Sequence, residues 1–207
     1  MKKILTIVLA FCLLLTLAAC GVSTTEQSEV TSTTQVVTLD ETATYYADIE
    51  IAAYGTITVQ LDQSSAPATV ANFISLAEDG FYNGLTFHRI ISGFMMLGGD
   101  PNGNGTGGSD TKIVGEFVAT GHDNPLAHER GVISMARSRD YNSASSQFFI
   151  MHADAPHLDG QYAAFGKVTE GMDVVDAVCA AAKPTDNNGS IAKDAQPVIT
   201  SITIREA

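Results

Sequence analysis

The chain reads as a mainly β domain, a barrel or sandwich with two helices. Three observations carry that reading. Short stretches that alternate apolar and polar residues, or run apolar, recur through residues 45–207. Only two stretches shift to a helical period. Glycine is frequent, at 18 residues of 207, and tryptophan is absent, which favours a turn-rich chain.

Residues 48–51 alternate, and 56–61 alternate again after a turn at Tyr54-Gly55, the pattern of a hairpin. Over 67–78 the period changes: Val70, Phe73, Ile74 and Ala77 share one helical face. Pro67 suits the first helical turn and Gly80 the stop. Apolar runs at 85–91, 132–136, 147–151 and 163–168 predict strands. Residues 172–181 predict a second helix, and the alternation at 198–204 a closing strand.

The balance of 11 Lys+Arg against 23 Asp+Glu gives a net charge of −12. That argues against nucleic acid as a partner, which a basic surface must attract. A hydrophobic fraction of 45% excludes wholesale disorder. Met1-Lys2-Lys3 followed by an uncharged apolar run over 4–19 has the form of a secretory signal, too short to span a membrane as a helix. Leu17-Ala18-Ala19-Cys20 resembles the lipobox of bacterial lipoproteins. That resemblance implies cleavage before Cys20, lipid on its sulfur, and a place on the extracytoplasmic side of the cell membrane. Residues 1–19 are then a signal peptide, and cleavage moves the net charge to −14. Residues 20–44 are a lipid-anchored linker, rich in Ser and Thr and without the apolar content to fold. Residues 45–207 are the folded domain. Cys179, inside the second helical pattern, reads as a buried, inert thiol.

The most specific stretch is Phe87-His88-Arg89-Ile90-Ile91-Ser92-Gly93-Phe94-Met95-Met96-Leu97-Gly98-Gly99-Asp100. Three blocks follow it in order: 131–136 (GVISMA), 145–150 (SSQFFI) and 158–168 (LDGQYAAFGKV). Together they resemble the cyclophilins. The resemblance spans nearly all of 45–204. It implies a closed eight-stranded antiparallel β-barrel capped by two α-helices, and peptidyl-prolyl cis–trans isomerase activity on exported or cell-surface proteins. Nothing in the sequence demands more than a monomer.

The chemistry of such a reaction is spare. Rotation about an X–Pro amide loses resonance and meets a barrier of about 18–20 kcal/mol. Unaided, it takes about 10–100 s. No covalent bond breaks, so no cofactor and no metal are expected. A site needs to grip a proline ring and favour the twisted amide over both planar forms. By position in the motif Arg89 is the catalytic residue. Its guanidinium can donate to the prolyl nitrogen, whose lone pair is freed only when the amide twists. Phe94, Met95, Phe149 and Leu158 match the pocket for the ring. Gln147 matches a side chain that holds substrate backbone. Ala136 and Arg137 match an edge that binds the substrate main chain, and Tyr162 a rim donor.

Three positions depart from the family pattern: Arg137 replaces an asparagine of eukaryotic members, though arginine there resembles bacterial ones, and Leu97 and His157 differ as well. Leu97 stands where a glutamine usually bonds substrate and orients the arginine. The expected cost is about 1–2 kcal/mol for a lost polar contact, and it leaves room for an alternative: a proline-peptide binding module or holdase with weak turnover. His157 stands where cyclosporin-sensitive members have tryptophan, so weak cyclosporin binding is expected. Three other signals are set aside. Residues 103–108 fit a Gly-rich nucleotide fingerprint, but no helical pattern follows. The five histidines lack metal-ligand spacing. Arg130, Arg137 and Arg139 read as a solvated face or as a basic lip beside the groove.

Overall fold

The computed structural model describes residues 39–207; the leader, Cys20 and the linker up to residue 38 lie outside the described residues. In chain order the elements are β1 (Tyr45–Ile51), β2 (Gly55–Leu61), α1 (Pro67–Glu78), β3 (Thr86–Ile91), β4 (Met95–Asp100), β5 (Val132–Met135), β6 (Phe148–Met151), β7 (Ala164–Glu170), α2 (Met172–Ala181) and β8 (Ile199–Glu206). Both helices fall where the 3.6-residue period places them. Residues 39–44 lie against the domain: Gln63 Nε2 donates to the carbonyls of Asp40 and Ala43. Thr44 and Ala207 exchange backbone hydrogen bonds.

β4 is the strand that pattern reading passes over, because Gly98-Gly99 weakens a strand signal. The glycines are there for clearance. A Cβ on Gly98 would sit 2.8 Å from the Phe87 ring, and one on Gly99 2.6 Å from the Ser146 carbonyl oxygen.

The strands form one antiparallel sheet in the order β3-β4-β6-β5-β7-β2-β1-β8. The sheet curls into a half-barrel and does not close, which corrects the closed barrel expected from the resemblance. Only an isolated bridge, Thr86 with Val198, and a few backbone hydrogen bonds at the start of each strand join β3 to β8. Two features stop the ladder there. Pro197 has no N–H to give. Past Phe87 the outer edge of β3 is taken by the 189–191 segment: Ile90 N–H donates to the Gly189 carbonyl and Ile191 N–H to the His88 carbonyl.

Two apolar layers flank the sheet, and this explains why β5 and β6 are buried at every position. Inward, Phe148 and Ile150 of β6 join the main core, where Phe73 of α1 packs on Tyr82, Phe148 and Phe165 at centroid distances of 5.2, 5.4 and 5.2 Å. Outward, Phe149 and Met151 join a second cluster with Met95, Val132, Ala155 and Ala164. A strand covered on both faces loses the alternation that a half-exposed strand shows.

The start of α1 has no capping side chain of its own. Buried Glu116 supplies one from a distant loop, accepting from Ala68 N–H at 2.9 Å, Thr69 N–H at 2.8 Å and the Thr69 hydroxyl at 2.7 Å. A carboxylate there satisfies orphan donors and complements the helix dipole.

Candidate active site

The outer cluster is where most of the sequence-derived site residues meet. Met95 and Phe149 are buried in it, while Phe94, Leu97, Ala136, Leu158 and Tyr162 pack around them and remain partly open. Strand register builds this arrangement. Leu97 lies opposite both Arg89 on β3 and Phe149 on β6, and Ser134 of β5 lies opposite Phe149 from the other side. Arg89, Leu97, Ala136, Arg137 and Gln147 also line one cleft of about 600 Å³. A cation therefore stands beside an apolar, aromatic slot, as recognition of a proline next to a twisting amide requires.

Each wall has its support. Phe94 is carried by the β3–β4 turn, which His152 pins: Gly93 N–H donates to His152 Nδ1 at 2.8 Å, and His152 N–H to the Phe94 carbonyl at 2.8 Å. His157 stacks on Phe94, with ring centroids 5.8 Å apart. Behind Phe149 lies fully buried His128, its ring parallel to the phenyl at 6.0 Å. Its Nδ1 is 2.9 Å from Asp159 Oδ1, and its Nε2 is 3.0 Å from the Ser134 hydroxyl. A carboxylate only accepts, so Nδ1 carries the proton and Nε2 accepts from Ser134. Burial holds the His128 pKa below its ordinary value, against the pull of Asp159. The order acid–imidazole–hydroxyl resembles a hydrolase relay, but Ser134 is buried and out of a substrate's reach. The chain of bonds fixes the back wall of the pocket instead. Sequence reading missed it because no local pattern ties His128 to Asp159, 31 positions away.

The polar edge is more selective than the motif implies. Ala136 N–H donates to the Gln147 carbonyl at 2.9 Å. No protein donor reaches the Ala136 carbonyl among the described residues. Gln147 Nε2 donates to the Gly107 carbonyl at 2.7 Å. Arg137 lies over the Tyr141 and Tyr162 rings at 4.6 Å each and over Phe117 at 5.4 Å, with Nε donating to the Gln161 carbonyl. Its guanidinium braces Tyr162, which meets Phe149 edge-on at 5.9 Å. Arg130 does not join it in a basic lip: it pairs with Asp176 of α2 through two hydrogen bonds of 2.7 and 2.8 Å.

The Gly-rich loop after β4 spends its donors internally. Asp100 is buried, and its carboxylate accepts from the N–H groups of Asn102, Asn104 and Gly105. Burial alone would raise its pKa; those N–H groups and nearby His88 hold it below the usual carboxylate value. The backbone cradle that a phosphate would need is already filled by a side chain.

The feature that sequence reading did not find is the partner of Arg89. Its Nε donates to the carbonyl of Asn188, 99 positions away in the chain, at 2.6 Å. Asn188-Gly189 is a turn signal in the sequence, but nothing local says that the turn folds back on β3.

Proteins of known kind share this chain's pattern. A family model of cyclophilin type peptidyl-prolyl cis-trans isomerase matches residues 46–206. A Helicobacter pylori peptidyl-prolyl cis-trans isomerase is 48% identical over 127 residues, 60% of this chain and 75% of its own length. Peptidyl-prolyl cis-trans isomerase B of Bacillus subtilis is 49% identical over 117 residues, 56% of this chain and 78% of its own. Among solved structures, a Cryptosporidium parvum cyclophilin type peptidyl-prolyl cis-trans isomerase, crystallised in the presence of the dipeptide Ala-Pro, superposes with a TM-score of 0.68. It is 31% identical, and the match covers 77% of this chain and 98% of that one. With a sheet, a pocket and a family model that agree along the domain, the chain belongs to the cyclophilin-type peptidyl-prolyl cis–trans isomerases.

Proposed function

We propose that this protein catalyses cis–trans isomerisation of X–Pro bonds, with Arg89 as the catalytic residue. The observation that carries the reading is the placement of Arg89 in the cleft beside the Met95–Phe149 slot. The proline ring enters that slot, lined by Phe94, Met95, Phe149 and Leu158. The Ala136 carbonyl and Gln147 hold the flanking backbone, and Tyr162 closes the rim. As the amide twists, the prolyl nitrogen gains a lone pair and accepts from the guanidinium. That contact is weak in either planar form, so it lowers the barrier rather than merely tightening binding. The reaction is complete without a cofactor or a metal.

We propose further that in the cell the enzyme is a monomer, lipid-anchored on the outer side of the membrane; the leader and Cys20 motif support the anchoring. There it serves proline-containing segments of exported proteins. Lipoprotein modification supplies at least two acyl chains, enough for stable anchoring. Leu97 favours a second reading, a proline-peptide binding module or holdase with little turnover.

A protease-free isomerisation assay on a proline peptide separates the two. The parent protein should accelerate exchange, and Arg89→Ala should lower kcat at least a hundredfold while peptide still binds. Peptide binding with no acceleration by the parent protein would establish the holdase reading.

A further inference from the structure

Leu97 poses a problem for an arginine mechanism. It sits directly across the β3–β4 ladder from Arg89, the place from which a polar side chain would hold the guanidinium, and it offers no hydrogen bond. The structure supplies another holder. The only hydrogen bond that the Arg89 guanidinium makes among the described residues is from Nε to the Asn188 carbonyl, at 2.6 Å. That bond leaves both terminal nitrogens to the substrate.

The carbonyl is itself held. Asp186 closes a tight turn, its Oδ1 accepting from Asn188 N–H at 2.9 Å and Ser190 N–H at 3.0 Å, and its Oδ2 from the Ser190 hydroxyl at 2.8 Å. The base of the turn is tied by Thr185 N–H to the Ser190 carbonyl and by a bridge between Pro184 and Ile191. The whole turn is then docked on β3 through the Arg89–Ser190 bridge, with the Ile90 N–H to Gly189 carbonyl bond beside it. Gly189 makes this approach possible. Its φ of +86° suits glycine, and a Cβ there would lie 2.8 Å from the Ile90 carbonyl oxygen.

We infer that the Asp186–Ser190 turn is a positioning device for Arg89, in which Asp186 aims the Asn188 carbonyl at Nε and takes over the orienting task that Leu97 cannot perform. Asp186 and Asn188 are positioning residues; neither needs to touch substrate. The inference rests on Arg89 being the catalytic residue, and it carries a consequence for Leu97. A glutamine at position 97 should bring little benefit while the turn is intact and much more once the turn is broken.

The experiment measures kcat and KM of the purified protein in the protease-free assay, together with the 15N-resolved NMR signal of the Arg89 Nε–H. Asp186→Ala should lower kcat about tenfold with KM within about twofold, and should remove the slowly exchanging Nε–H signal. Asp186→Asn, which keeps an acceptor for the turn, should retain most of the activity and the signal. Leu97→Gln should raise kcat less than about threefold alone, yet recover most of the loss in the Asp186→Ala background. Gly189→Ala should reproduce the Asp186→Ala result by a steric route. Parent-like kcat and an unchanged Nε–H signal in Asp186→Ala would overturn the inference, as would equal gains from Leu97→Gln in both backgrounds. Activity surviving in Arg89→Ala would overturn the catalytic assignment and this inference together. An inactive Arg89→Ala beside a fully active Asp186→Ala would sink this inference alone.

Discussion

Arg137 and Arg89 are both arginines beside one cleft, and their surroundings give them different work. Arg137 is spread over two tyrosine rings and a phenylalanine, so its charge is engaged by π-faces and its plane stiffens the rim. Among the described residues, Arg89 is held at one nitrogen only. His157 and Cys179 show the same dependence on setting. His157 lies flat on Phe94 at the mouth of the slot, where it offers less apolar area than a larger aromatic ring would. We therefore expect cyclosporin to bind weakly, and His157→Trp to tighten binding at least tenfold by calorimetry. Nanomolar affinity in the parent protein would refute that. Cys179 is buried in α2, and burial pushes its thiol pKa up to about 11, so it behaves as packing rather than as a nucleophile.

At the level of elements, periodicity located both helices, because each buries a single face: Thr69, Val70, Phe73, Ile74 and Ala77 in α1, and Val174, Val175, Val178 and Cys179 in α2. The same logic underlies the hairpin of β1 and β2. It fails at β4, where close packing demands glycines that read as a break. It also cannot see the cap of α1, since Glu116 lies 47 positions from the Thr69 it bonds. That cap makes a prediction at its own scale. Glu116→Ala strands two backbone N–H groups and a hydroxyl in a buried place, and should cost about 3 kcal/mol. Chemical denaturation would register it as a lower midpoint with an unchanged m-value. A midpoint equal to the parent's would show that water replaces the carboxylate at no cost.

For the molecule as a whole, acid should act first through histidine. His88 and His128 are both buried and hold their pKa values below the ordinary 6.5, in each case chiefly through burial. Below pH 6.5 the unfolded chain takes up protons at these positions while the folded chain resists. Stability therefore falls as the pH drops from 6.5 toward their folded values. Depressed carboxylates, Asp100 and Asp159 among them, add their loss only below 3.8. Denaturation midpoints at pH 7.5 and 5.5 should differ, the acid value being lower. The difference should shrink in a His88→Gln, His128→Gln double variant. Equal midpoints in the parent protein would contradict this.

Much of the fold and site was legible in the sequence for a physical reason: local period records which faces are buried, and short contiguous motifs record strand neighbours. From local period came the two helices and the mainly β class; the grouping of Phe94, Met95, Phe149 and Leu158 around one slot, with Tyr162 at its rim, was implied only by the resemblance to the cyclophilins. What tertiary structure decided depends on residues far apart in the chain. The sheet curls without closing because Pro197 and the 189–191 segment interrupt the meeting of β3 and β8. The Gly-rich loop closes on Asp100. Arg89 is aimed by a carbonyl 99 residues away. Contacts of that kind leave no period in the sequence, because each is a single meeting of two distant segments, fixed only when the sheet brings them together.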